Sequence, residues 1–122
     1  MQSAKAWVEL LRSQPIPKQE VFQKHIDAAT ISSLCDCGCN SFTLSIPNST
    51  VLPELQSGNG LYSELAFNTN QDDNLNILIF TDNRGYLGSV DVTYGASNHA
   101  PIPDNLVVKD LIYVLGSNES GI

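Results

Sequence analysis

Residues 75–94 constrain the fold more tightly than any other part of this chain. LNILIFT at 75–81 is apolar almost throughout, as in a central strand covered on both faces. Asp82-Asn-Arg-Gly85 supplies turn chemistry, with a glycine free to take a positive φ. Residues 86–94 then alternate, Val90, Val92 and Tyr94 against Ser89, Asp91 and Thr93, the period of a half-buried strand. A hairpin with one apolar face must bury that face against something, so a layered fold follows.

The N-terminal segment provides the second layer. Ala4, Trp7, Val8 and Leu11 recur at helical spacing, which predicts an amphipathic helix over residues 3–13. Pro15 and Pro17 end it, because proline disfavours helix in the residue before it. Pro17 suits the first turn of a second helix, reaching residue 29, whose apolar face is Val21, Phe22, Ile26 and Ala29. Strand patterns begin at residue 30. Residues 30–34 and 41–46 flank a Cys-Asp-Cys-Gly-Cys turn, 51–59 reads as loop, and 61–68 is a strand with Leu61, Leu65 and Phe67 opposite Tyr62, Glu64 and Asn68. Residues 106–115 read as a strand or a short helix, and 117–122 as a frayed tail. The expectation is one α+β domain over 1–122, with two N-terminal helices (about 3–29) packed on one face of an antiparallel β-meander (about 30–115).

Charge narrows the partners. The formal net charge is −7, and only six Lys and Arg are present, too few for the counterion release that drives binding to nucleic acid. Residues 1–30 carry Lys5, Arg12, Lys18 and Lys24 against Glu9, Glu20 and Asp27; residues 31–122 carry Arg84 and Lys109 against ten carboxylates. The acidic surface thus belongs to the strands and their loops, and suits a basic protein. The opening residues lack a basic segment followed by an apolar run, and no stretch has the 18 or so apolar residues of a membrane span, so the expectation is a cytoplasmic protein that engages neither membrane nor nucleic acid.

Cys35, Cys37 and Cys39 allow three readings. Three thiolates with His25 or His99 could hold zinc, but one-residue spacing strains simultaneous chelation, since zinc sites favour two to four intervening residues. A redox or reactive-thiol role is the second, though a redox pair normally has two residues between its cysteines and none here does. The third is a structural turn around Gly38, with the thiols acting as small apolar groups. The turn is preferred, and no cofactor is expected. His25 reads as a satisfied histidine at the edge of the second helix's apolar face, and His99 as a loop residue. No nucleophile elbow, phosphate-binding glycine loop, HExxH or calcium loop occurs, so the chain reads as a non-enzyme.

A second face of the meander would gather Tyr62, Glu64, Leu78, Phe80, Leu87 and Asp91. Either the C-terminal segment covers it, the reading preferred, or it stays open as an interface with aromatic anchors inside a charged rim. The candidate partner-binding residues are Tyr62, Glu64, Asp72, Asp73, Phe80, Asp82 and Asp91.

The order of two helices, C-x-C-G-C at Cys35–Cys39 followed by a strand, then GYLGSVDV at 85–92 and Pro101-Ile-Pro103, resembles a scarcely characterised family of small bacterial proteins. In size, acidity and lack of catalytic motifs the chain is also similar to the immunity proteins of contact-dependent growth inhibition and related toxin systems. That resemblance implies neutralisation of a cognate toxin, often a basic nuclease, whose cationic cleft a carboxylate-bearing surface could occlude. An adaptor or orphan binding module, or a zinc or thiol protein built on the cysteines, is the alternative.

Overall fold

The computed structural model describes residues 4–34, 41–95, 102 and 105–116. Helices α1 (Ala4–Arg12) and α2 (Gln19–Ala28) precede strands β1 (Thr30–Leu34), β2 (Phe42–Ser45), β3 (Gly60–Thr69), β4 (Leu75–Thr81), β5 (Leu87–Tyr94) and β6 (Val108–Gly116). The strands form one antiparallel sheet in the order β1-β2-β5-β4-β3-β6. β3, β4 and β5 are the expected meander at its centre. The α+β architecture is as the sequence patterns require. The cysteine turn, His99 and the tail 117–122 lie outside the described residues.

The helices cover one face of the sheet. Trp7 and Leu11 of α1 and Phe22 and Ile26 of α2 are buried against Leu65, Phe67, Leu75, Ile77, Ile79, Val90 and Val92. Each large side chain so buried contributes about 1.5–3 kcal/mol relative to exposure. α2 starts at Gln19, later than the position of Pro17 suggests. Its N-cap, Lys18, has left-handed backbone (φ 55), and its Nζ donates to the Leu55 carbonyl at 3.1 Å. The last carbonyl of α1 finds partners on α2: Gln23 Nε2 donates to Arg12 O at 2.6 Å and Gln19 Nε2 at 3.3 Å, while Gln19 Nε2 also donates to Gln14 O just beyond the helix at 2.7 Å. Such side-chain capping supplies the bonds a helix end cannot make within itself.

Among the described residues the final segment adds an edge strand, β6, beside β3 and does not lie across the sheet, so this part of the chain does not give the preferred covering of the second face. Several strands also carry one residue more than their partners. On β3 the extra residue is Tyr62, since Leu61 pairs with Phe80 but Ser63 with Ile79. On β5 it is Gly88, between Ser89 opposite Phe80 and Leu87 opposite Thr81. β1 and β6 are bulged too, at Ser32 and Ile112. Each bulge reverses which side the preceding residues face. Tyr62 and Leu87 therefore turn into the helix-covered core, fully or almost fully buried, and Leu61 turns out.

Candidate protein-binding face

The face away from the helices is organised in rows across the strands. Leu115, Glu64, Leu78 and Asp91 form one row, through the pairs Leu115–Glu64, Glu64–Leu78 and Leu78–Asp91. Leu61, Phe80, Ser89 and Thr43 form a second. Tyr113, Ala66, Asn76 and Thr93 form a third. At ordinary strand spacing Glu64 and Asp91 stand roughly 10 Å apart across Leu78. Apolar groups around them are accessible: Leu61 is 40% exposed, Tyr113 38% and Leu115 56%, with Leu78, which lies between the two, and Phe80 half-buried.

Glu64 is oriented by its neighbours. Asn76 Nδ2 donates to Glu64 Oε2 at 3.3 Å, and the Tyr113 hydroxyl donates to the same oxygen at 3.1 Å. That bond, aided by loss of hydration and by the carboxylate's charge, raises the pKa of Tyr113 above its ordinary value. None of the side chains in the three rows is basic. Among the described residues neither Glu64 nor Asp91 takes part in an ion pair; the three pairs are Arg12–Glu9, Arg12–Asp27 and Arg84–Asp82.

The other expected site residues separate. Asp72 and Asp73 are exposed in the β3–β4 connection, beyond the Asn76 end of the face. Asp82 does not join them, because its oxygens are consumed by the turn it starts. Oδ1 accepts the N–H groups of Arg84 (2.8 Å) and Tyr86 (3.2 Å), and Oδ2 accepts Arg84 Nη2 at 2.9 Å and Nε at 3.3 Å. Burial alone would raise the Asp82 pKa, but these bonds outweigh it and hold the carboxyl below its ordinary range. Tyr62 is no anchor either, since its ring is in the core and its hydroxyl donates to the Pro17 carbonyl. Glu64, Phe80 and Asp91 share the open face as expected; Leu87 does not. Leu61, Tyr113 and Leu115 belong to it without having been singled out, and the only sequence signal for Leu61 is the broken alternation at Leu61-Tyr62-Ser63.

The end of the sheet around residues 82–86 is closed. Arg84 lies over the Tyr86 ring, 4.5 Å from its centroid, and donates to the Ile46 carbonyl at 3.1 Å. The Tyr86 hydroxyl accepts from Leu52 N–H (2.8 Å) and donates to Leu52 O (3.0 Å). His25 is fully buried: Nε2–H donates to Pro53 O at 2.7 Å, and Nδ1 accepts Leu87 N–H at 3.1 Å. This is the neutral tautomer, and burial pushes the His25 pKa below 6.5 despite the Pro53 bond. With both nitrogens committed, His25 can offer a substrate neither proton nor lone pair. The residue expected at the edge of the helix face is a central staple of the core.

Among the described residues no group of three or more His, Cys, Asp or Glu is arranged to hold a metal ion. No described helix is long and apolar enough to cross a membrane. Comparison with protein-family models, with curated proteins and with solved structures finds no match to this chain.

Proposed function

We propose that this protein is a binding protein of the immunity type, which seats a basic toxin domain on the open face of its sheet and so blocks that domain's active site. The observation that carries the reading is the row Leu115–Glu64–Leu78–Asp91, two carboxylates with no ion-pair partner among the described residues, set among accessible apolar side chains. Apolar anchors give a complex its lifetime, and uncompensated charge steers encounter and rejects wrong partners. Asp72 and Asp73 extend the negative field at one margin; Asp82 contributes to the turn instead.

The experiment is direct. The product of the gene adjacent to this one is expressed as an isolated domain, and binding is measured by calorimetry at several salt concentrations. A complex tighter than micromolar, with association slowed by salt and by the double change Glu64→Lys with Asp91→Lys, is the expected result. No complex at micromolar concentration refutes the toxin pairing. A tight complex indifferent to both changes refutes this face.

A further inference from the structure

The two carboxylates of the open face differ in what they have left to offer. Glu64 Oε2 already accepts two hydrogen bonds, from Asn76 Nδ2 at 3.3 Å and the Tyr113 hydroxyl at 3.1 Å. A carboxylate oxygen has two lone pairs, so Glu64 keeps only Oε1 for a partner. Asp91 is half-buried, yet among the described residues its carboxylate has neither a hydrogen bond nor an ion pair. It has lost part of its hydration with no bond in return. At ordinary strand spacing the two acids are roughly 10 Å apart, and the bonds from Asn76 and Tyr113 keep Glu64 on its own side of Leu78.

The surroundings of Asp91 favour one kind of cation. Leu78 stands directly across from it on β4, and the half-buried Phe80, opposite Ser89, is its diagonal neighbour on the same face. Diagonal neighbours lie about 7–8 Å apart, within reach of an aromatic or a long side chain. An ammonium group meets such a carboxylate as a point charge. A guanidinium presents two parallel N–H groups to both oxygens and a flat side to an aromatic ring. We propose, resting on the binding role above, that the partner docks an arginine here, its guanidinium forked onto both oxygens of Asp91 and its flat side against Phe80. Glu64 takes a single-point donor instead.

The probe is the domain encoded by the adjacent gene. Each of its arginines is changed in turn to lysine, which keeps the charge and removes the fork. Every variant is then measured by calorimetry against the parent chain, Asp91→Asn and Glu64→Gln. One arginine should emerge whose change weakens the parent complex at least tenfold. Its effect should shrink below twofold with Asp91→Asn and stay above fivefold with Glu64→Gln, the signature of a direct pair. A tight complex in which no arginine depends on Asp91, or in which the dependence falls on Glu64, overturns the arginine assignment and leaves the toxin pairing standing. No complex at micromolar concentration removes the toxin pairing, and the assignment with it.

Discussion

The hairpin end of the molecule and the open face of its sheet use the same kinds of residue to opposite ends. Around residues 82–86 an acid, a base, a tyrosine and a histidine satisfy one another and the backbone of the 46–56 segment. On the open face an acid, a tyrosine and an asparagine are linked, but among the described residues no cation completes the group. The first arrangement fixes a loop; the second leaves charge facing outward. Carboxylates that look alike in a sequence thus divide by whether a counter-charge lies within reach, and the division decides which are available to a partner.

Breaking the closed end should cost most. Gly85 has φ +79, and a Cβ there would lie 2.0 Å from the Gln56 carbonyl oxygen. Gly85→Val should destabilise by about 3–5 kcal/mol, read as a lower urea midpoint; a loss below about 1 kcal/mol would mean the loop is not pinned there. His25→Phe keeps a ring but strands Leu87 N–H and the Pro53 carbonyl, and should cost about 2–3 kcal/mol.

The same histidine gives stability a pH dependence. Its folded pKa lies below its unfolded value of 6.5, so the unfolded chain binds the proton more tightly. Its contribution is complete above pH 6.5 and declines as the pH falls from there towards the folded pKa. Asp82, also depressed, adds a second decline below its ordinary value of 3.8. Thermal melts from pH 8 to pH 5 should show the first decline in the parent and not in His25→Phe; equal slopes would remove the histidine from the explanation.

The open face should respond in the reverse sense. Glu64→Gln and Asp91→Asn should each change stability by no more than about 0.5 kcal/mol while slowing association with a basic partner. A stability loss near that of His25→Phe would move these residues from the binding side of the comparison to the structural side. The smallest effect is spectroscopic: Glu64→Gln should lower the pKa of Tyr113 towards 10, followed by NMR titration.

Much of this fold can be read from residue order, and the failures have identifiable causes. The hairpin turn, the two helices and the shared outward face of Glu64, Phe80 and Asp91 follow from periodicity. Alternation puts Tyr62 and Leu87 on the wrong side because a single extra residue reverses it; the lone glycine of Leu87-Gly88 inside a strand is a signal of such a bulge, whereas nothing of that kind marks Tyr62. Residues 108–116 give an ambiguous pattern because their pairing with β3 slips twice, so Val108, Leu111 and Val114 recur every third residue. The pinning of residues 46–56 is invisible locally, since its bonds join residues 28 to 38 apart in the chain. Asp82 was half legible: its place at the head of a turn was plain, its pairing with Arg84 was not.

The extra residues on β1 and β6 have a consequence beyond register, because these are the two strands at the borders of the sheet. A border interrupted in this way presents no continuous ladder to the backbone of a neighbouring molecule, even where its side chains are as apolar as Ile112 and Leu115. Copies of this chain should therefore stay dispersed when concentrated, neither zipping into fibres nor growing a shared sheet.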